Sequence, residues 1–333
     1  MKTIRLDTDF VTTVFTTDWH LSDQPPGMRN AGYREEIMAK VEFVRDLTVK
    51  LNGVGLFGGD MFHQKDPKAR GNSFSMITRL QNALTSFPQG TLYGVHGNHD
   101  LWMDRVDSIP HQPIGPLIAS GALTDLSTGS VIFENRDGTV RVQVDAYPFA
   151  DDLTTLDRVL NAAPREPNVQ YRIVLMHAYG DPGTIVTMHG VPKIGFNQMA
   201  DCDYDVALWG HDHSRTKTIT VGNCTHVRLG SLSRASLAED EVDRPVSAAV
   251  IKFKPGGMAY KEVEIPTKPL EIAFTAAHKP VERVRKTDEV SDYFNQMDLA
   301  VASIESTDPR EVMAQLCPDD PAVLDRAVQL CGL

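Results

Sequence analysis

Residues 11–20 read VTTVFTTDWH, a run of β-branched and aromatic residues that ends in a carboxylate and an imidazole. Runs of this composition are typical of buried strands, so we predict a strand over Val11 to Thr17. Asp18 and His20 alternate in sequence, so in an extended backbone both side chains can point to the same side and share one cation. Taken alone, Asp-x-His is common, and a turn carboxylate beside a surface histidine is the better explanation of such a pair.

Four further apolar runs end in residues that bind metals. They are Val54 to Phe57 before Asp60, Thr91 to Val95 before Asn98, Ile173 to Met176 before His177, and Val206 to Trp209 before His211 and His213. In open α/β sheets, ligands collect beyond the carboxyl ends of the strands, so residues distant in sequence converge there. An ordinary turn or a surface histidine can explain each motif taken singly. For the whole set, however, all five of these explanations would have to be true at once. The recurrence therefore predicts a two-metal hydrolase site at one edge of a β-sheet.

The densest cluster of ligands and proton carriers is HGNHD at residues 96–100. Gly97 stands where the chain must bend, and an asparagine oxygen suits hard cations such as Mn²⁺ beside carboxylate and imidazole. Gly58 and Gly59 similarly allow a sharp turn that brings Asp60 close to a ligand. The alternative for both motifs is a polar β-turn, because glycine and asparagine are common turn residues.

Composition places the chain among globular proteins. It has 333 residues, 41% hydrophobic and 23% charged, with a mean hydropathy of -0.24 and no long apolar run, so we expect no membrane span. The amino terminus shows no apolar signal core, and the four cysteines form no CxxC pair, so the expected location is the cytoplasm, or the host cytoplasm if a phage encodes the chain. The net charge of -11 argues mildly against nucleic acid as a ligand, although bound cations or a basic partner subunit would offset it.

Patterns between the motifs predict helices and further strands. Apolar residues recur at helical spacing over Tyr33 to Leu51 and Phe74 to Phe87. An Asp-Gly turn favours a hairpin between Val131 to Phe133 and Val140 to Asp145. Later strand-like runs are Thr216 to Val221, Thr225 to Leu229, Val246 to Phe253 and Ala259 to Ile265. We expect these later strands to form a second, antiparallel sheet.

The character of the chain changes near Pro266, so we predict a main domain over residues 1–265 and a linker with a helical appendage over residues 266–333. In the appendage, Asp-Pro pairs open short helical segments at Asp308 to Leu316 and Asp320 to Cys331. Such a pair is too small to form its own core. It could dock on the protein's own sheet or on a partner protein.

The complete set of motifs occurs in a fixed order. It consists of Asp-x-His at 18–20, Gly-Asp at 59–60, Gly-Asn-His-Asp at 97–100, His at 177 and Gly-His-x-His at 210–213. This set resembles the calcineurin-like metallophosphoesterase family. The resemblance implies an α/β fold of four layers, with two mixed β-sheets packed face to face and flanked by helices. GGDMFH at 58–63 and DVALWGHDH at 205–213 resemble the DNA-repair branch, the SbcD-type exonuclease subunits of bacteria and phages.

The resemblance also implies roles for individual residues. One divalent metal ion would be held by Asp18, His20, Asp60 and His213, and a second by Asp60, Asn98, His177 and His211. The expected metal is Mn²⁺, with Mg²⁺, Fe²⁺ or Zn²⁺ as alternatives. His99 would protonate the leaving alkoxide or stabilise the transition state, Asp100 would orient the ring of His99, and His63 would position the substrate.

Three functions remain open at this point. The first is a metal-dependent exonuclease subunit that hydrolyses phosphodiester bonds in DNA repair or recombination, working with an SbcC-type ABC ATPase. The second is a small-molecule phosphoesterase of the same fold, acting on a nucleotide, cyclic nucleotide or phosphomonoester, which the acidic net charge suits better. The third is a metal-free interaction scaffold. A homodimer through Tyr33 to Leu51 or Phe74 to Phe87 is also open, although a helix packed on its own sheet explains these segments equally well.

Overall fold

The computed structural model describes residues 2–65, 71–127, 129–150, 152–183, 193–236 and 244–274. The predicted helical segments Asp308 to Leu316 and Asp320 to Cys331 lie outside the described residues. Among the helices that are described, none is long and apolar enough to cross a membrane.

Strands, loops and helices alternate through the first part of the chain, as the sequence patterns predict. The strands are β1 (Lys2–Arg5), β2 (Val11–Thr16), β3 (Val54–Phe57), β4 (Leu92–Gly94), β5 (Leu123–Asp125), β6 (Val131–Glu134), β7 (Arg141–Tyr147), β8 (Tyr171–His177), β9 (Gly180–Asp181), β10 (Ile194–Gly195), β11 (Val206–Gly210), β12 (Ile219–Val221), β13 (Cys224–Arg228), β14 (Ser247–Lys254) and β15 (Gly257–Glu264). The helices are α1 (Tyr33–Lys50), α2 (Phe74–Thr85), α3 (Ile114–Ala119), α4 (Asp152–Leu160) and α5 (Leu270–Ala273).

Two mixed sheets form the centre of the described fold. The six-stranded sheet has the order β15-β14-β2-β3-β4-β5, and β2 to β5 run parallel in it. The seven-stranded sheet has the order β1-β6-β7-β8-β11-β13-β12, with β7, β8, β11 and β13 parallel. We expected the strands after residue 215 to form their own antiparallel sheet, and this is wrong. Instead, β13 extends the parallel run beside β11, β12 pairs antiparallel with β13 at the edge of that sheet, and β14 returns to pair with β2.

The layers follow from which strand faces are apolar. Phe15 and Leu56 of the six-stranded sheet pack with Leu175 and Leu208 of the seven-stranded sheet in one buried cluster. The opposite face of the six-stranded sheet packs against α1, α2 and α3, and the opposite face of the seven-stranded sheet packs against α4. Strands buried on both faces read as continuous apolar runs, which is why the motif strands lack alternation. The fold is the four-layer α/β arrangement that we expected.

A buried ionic cluster joins α1 to the loop at residues 231–234. Glu36 lies 2.7 Å from Arg29 and 3.0 Å from the ammonium group of Lys40, and the side chain of Glu36 is 5% exposed. Arg29 donates to the backbone oxygen of Arg234 at 2.9 Å, and Lys40 donates to that of Leu232 at 3.1 Å. The amide of Leu232 in turn donates to the backbone oxygen of Asp18. The cluster therefore connects α1 to the loop that carries the first metal-binding motif.

Replacing Glu36 with alanine should lower the free energy of unfolding by about 3–5 kcal/mol, because two buried cations would lose their counter-charge. The measurement is urea denaturation of Glu36→Ala. Glu35→Ala is the matched control, since Glu35 is the neighbouring residue on α1 and its side chain is 52% exposed beside Arg79. We expect the control to cost less than about 1 kcal/mol. Equal losses in both variants would contradict the role given to the cluster.

Candidate metal centre

The five ligand-bearing strands belong to two sheets, which corrects our expectation of a site at one sheet edge. β2, β3 and β4 lie in the six-stranded sheet, and β8 and β11 lie in the seven-stranded sheet. Hydrogen bonds connect the two edges directly. The ring of His177, at the end of β8, lies 2.7 Å from the backbone oxygen of Gly58, and the amide of His211 donates to the carboxylate of Asp18. The carboxyl ends of both sheets therefore meet in one site, which extends the general rule for a single sheet to a pair.

The first ligand group contains Asp18, His20, Asp60 and His213, and one ligand atom from each lies within 4.8 Å of the others. The Nε2 atoms of His20 and His213 are 2.8 Å apart, and His20 Nε2 is 3.7 Å from Asp60 Oδ2. Asp18, His20 and Asp60 are almost completely buried. These four residues are the set that the family resemblance assigned to one metal ion.

The second ligand group contains Asp60, His177 and His211, again within 4.8 Å of one another. His177 Nε2 lies 3.5 Å from Asp60 Oδ2 and 3.3 Å from Asn98 Oδ1. Asn98 therefore borders this group, where its amide oxygen could reach the same cation. Asp60 is a member of both groups, which is the arrangement required of a carboxylate that bridges two cations.

Burial and charge set the protonation of the donors. Burial opposes ionisation of Asp60, but His177, His20 and His99 together outweigh it, and the pKa of Asp60 falls well below its ordinary value. Burial disfavours a charged His177, yet Asp60 raises the pKa of His177 to about 9. Burial lowers the pKa of His211 to about 2 and that of His20 well below its usual range, so these imidazoles are neutral and have a lone pair for a cation.

The backbone around the ligands fits a metal centre closely. A Cβ atom at Gly97 would overlap Oδ1 of Asp60 and would stand 2.6 Å from Cε1 of His177, so only glycine allows this approach. Four ligands adopt the left-handed region, namely Asp18, His20, Asp60 and His211, with φ of 53°, 46°, 58° and 85°. Each such residue costs of order 1–3 kcal/mol and persists only where the surroundings impose it. The carboxylate, imidazole and amide ligand atoms in this cradle, several of them buried, suit a pair of divalent cations.

A second histidine cluster lies beside the first ligand group. The rings of His63 and His99 stack with their centroids 5.8 Å apart, and His99 also makes an edge contact with His20 at 4.7 Å. Burial lowers the pKa of His63 to about 4, and His99 adds to the shift. The structure therefore brings the predicted substrate-positioning residue and the predicted proton donor next to each other.

Asp100 does not make the contact that we predicted. Its carboxylate accepts hydrogen bonds from the backbone amides of Met61 and Gly97, both at 3.0 Å, and none of its described contacts is with the ring of His99. That ring lies 2.8 Å from the backbone oxygen of His63 instead. Burial raises the pKa of Asp100 to about 7, and Asp60 adds to the effect. Asp100 fastens the loop of β3 to the loop of β4, and His63 orients His99.

Three residues at the site were missed from the sequence. Phe149 and Tyr179 pack against the rings of the second ligand group, and Arg228 holds the loop between His211 and His213 through its contact with Asp212 at 3.0 Å. Phe149 follows the carboxyl end of β7, but the sequence pattern concerned metal-binding residues, which a phenylalanine is not. Arg228 carried no such signal, because a buried arginine on a strand is recognised only from its partners.

The chain belongs to the calcineurin-like phosphoesterase family, since a sequence model of that family matches residues 11–215. None of the proteins of curated function matches this chain. Among solved structures, the 5'-nucleotidase precursor from Thermus thermophilus is similar at 12% sequence identity and a TM-score of 0.42, over 88% of this chain and 60% of that chain. The present chain thus spans less than two thirds of that protein.

Replacing Gly97 with alanine should weaken metal binding at least tenfold, because the new Cβ would displace Asp60 from the position shared by both groups. Isothermal titration calorimetry with Mn²⁺ gives the affinity. Gly129→Ala is the control, since a Cβ at Gly129 meets nothing within 4 Å and its φ is ordinary. Unchanged affinity in Gly97→Ala would show that the close approach is not needed to hold the cations.

Proposed function

We propose that this chain is a two-metal-dependent phosphodiesterase that hydrolyses DNA. Hydrolysis is proposed because one buried carboxylate, Asp60, belongs to both ligand groups. The stacked pair of His63 and His99 lies beside them. The choice of DNA is supported by the likeness of residues 58–63 to the SbcD-type nucleases. Two divalent cations held here would lower the pKa of a water molecule and neutralise the charge of the phosphate.

The chain's own residues divide the remaining work. Asp60 orients both ligand groups, and its position is fixed by the amide of His99, which donates to Oδ1 at 2.7 Å. His99 is partly exposed, so its Nε2 can face a leaving oxygen while its Nδ1 lies against His63. As an imidazolium whose Nδ1–H donates to the backbone oxygen of His63, His99 would give its Nε2 proton to that oxygen, a transfer that typically accelerates hydrolysis by about 10²- to 10⁴-fold. His63 is the neighbouring imidazole that would position a phosphate oxygen.

A small-molecule phosphoesterase is the second candidate, and the net charge of -11 favours it. An acidic chain repels the phosphate backbone of DNA over long distances, whereas one compact phosphate ester meets mainly the metal centre. Lys65, on the loop after His63, already pairs with Asp104 at 3.5 Å. A partner subunit with a basic surface, such as an SbcC-type ATPase, would supply the missing positive charge, and we include that partner in the proposal.

The substrate class is tested with protein reconstituted with Mn²⁺ or Mg²⁺. Labelled linear duplex DNA, single-stranded DNA, a nucleoside monophosphate and a cyclic nucleotide are compared at equal phosphate concentration and at several salt concentrations. Degradation of linear DNA with little release of inorganic phosphate from the monophosphate supports the nuclease. The reverse pattern supports the small-molecule enzyme and overturns the proposal.

His99→Ala should keep both metal ions and the fold while losing about 10²- to 10⁴-fold in turnover, because His99 lies outside the two ligand groups that share Asp60 and is assigned the proton transfer. The measurements are kcat on a labelled oligonucleotide, whose alkoxide leaving group needs a proton, and the metal content of the purified variant. Asp60→Asn is the contrasting variant, which should lose metal as well as activity. Loss of metal in His99→Ala would show that this histidine is a ligand.

A further inference from the structure

Two aromatic side chains, Phe149 and Tyr179, form what we call the aromatic shelf. Both are partly exposed. The ring centroid of Tyr179 lies 3.9 Å from that of His211, and the ring centroid of Phe149 lies 5.5 Å from His211 and 6.2 Å from His177. The shelf therefore lines the second ligand group, and neither of its residues offers an atom that a cation would bind strongly.

The two ends of the site differ in chemistry. The described ring contacts of His63 and His99 are with each other and with His20, in the first ligand group. The described ring contacts of the aromatic shelf are with the histidines of the second group. A substrate whose phosphate lies on the cations thus meets imidazoles at one end and aromatic faces at the other.

A positively charged side chain also lies near the aromatic shelf. The ammonium group of Lys193 lies 5.7 Å from the ring centroid of Tyr179 and 4.0 Å from Asp212 Oδ2. An aromatic surface bordered by a lysine is the combination that binds a nucleotide, since the ring stacks on a base and the ammonium attracts a phosphate. An aliphatic alcohol or a simple sugar phosphate would gain little from stacking there.

We propose that Phe149 and Tyr179 are a base-stacking subsite, which binds the nucleobase of the nucleotide whose phosphate ester is cleaved. The proposal rests on the proposed phosphoesterase function and names the part of the substrate that gives it preference. The base comes either from a free nucleotide or from a polynucleotide, because stacking uses the face of the base and not its neighbours. The aromatic shelf does not distinguish one base from another, because every base has a flat face that can stack on an aromatic ring.

The test compares two chromogenic esters that differ only in the base, namely the p-nitrophenyl ester of thymidine monophosphate and its abasic analogue. Wild-type protein with Mn²⁺ should show the lower KM for the ester that carries the base. Tyr179→Leu and Phe149→Leu should each reduce that preference roughly 5- to 100-fold. Tyr179→Phe keeps the ring and should keep the preference. If one leucine variant does not fold, the other decides the outcome.

Tyr171→Leu is the matched control, because Tyr171 is a partly exposed tyrosine like Tyr179, but it begins β8 and so lies at the opposite end of that strand from His177. Its substitution should leave the preference for the base unchanged. Should Tyr179→Leu and Phe149→Leu raise the KM of both esters by the same factor, the two rings serve only to pack His211, and the proposal is wrong. A wild-type protein that does not distinguish the two esters overturns it as well.

A binding measurement separates this inference from the proposed function. Calorimetry of the Mn²⁺-loaded protein with thymidine monophosphate and with deoxyribose phosphate reports the base contribution without turnover. If no phosphate ester is hydrolysed but this difference in affinity is present and is lost in Tyr179→Leu, the subsite stands and the proposed function fails. If esters are hydrolysed and the difference is absent, the subsite alone fails.

The source of the base is decided with single-stranded oligonucleotides that carry an abasic residue beside the terminal linkage. If the abasic residue slows cleavage in the wild type and not in Tyr179→Leu, the shelf binds a base of the polynucleotide. If only the monomeric ester responds, the shelf binds free nucleotides. If neither substrate responds to the missing base, the shelf is not a base-binding subsite.

Discussion

A buried carboxylate shared by two ligand groups is the constraint around which the rest of this structure is organised. Asp60 carries its charge almost out of contact with solvent, where an unpaired charge is very costly. His177 and the backbone amide of His99 stabilise that charge from two directions. Because Gly59 and Gly97 have no side chain, the neighbouring segments of the chain can approach the Asp60 carboxylate closely. Because the carboxylate must face both groups, the loops after β3 and β4 and the ends of β8 and β11 have little freedom to change independently.

The surroundings of the metal centre explain how strained backbone is tolerated there. Left-handed conformations at Asp18, His20 and His211 would relax if their loops were free. They are not free, because each loop is fastened to a rigid element by a buried charge. The ionic cluster on α1 fastens the loop of β2 through Leu232, and Arg228 fastens the loop of β11 through Asp212. Buried arginine and lysine side chains outside the site therefore keep the metal-binding side chains in place.

Much of the site could be predicted from the sequence, since strand composition and ligand type are local properties. The runs before Asp18, Asp60 and Asn98 show as strands because both of their faces are buried. Sheet membership could not be predicted in the same way. Whether β14 pairs with β2 or with its neighbours β12 and β13 depends on packing between distant segments, and no local pattern encodes it. The orientation of His99 was also beyond the sequence, because a backbone oxygen provides it and every residue has one.

The two-sheet origin of the metal centre has a consequence for how the protein matures. His20 and His213, whose ring nitrogens nearly touch, are separated by 193 residues, and closing so long a loop is entropically slow. Neither sheet alone presents a full donor set, so a partly folded chain offers a cation only weak, incomplete coordination. A cation that needs the full donor set would therefore bind only after the two sheets have docked. Its binding would stabilise the docked sheets, so the rate of cation uptake by the refolding chain would report the completion of the fold itself.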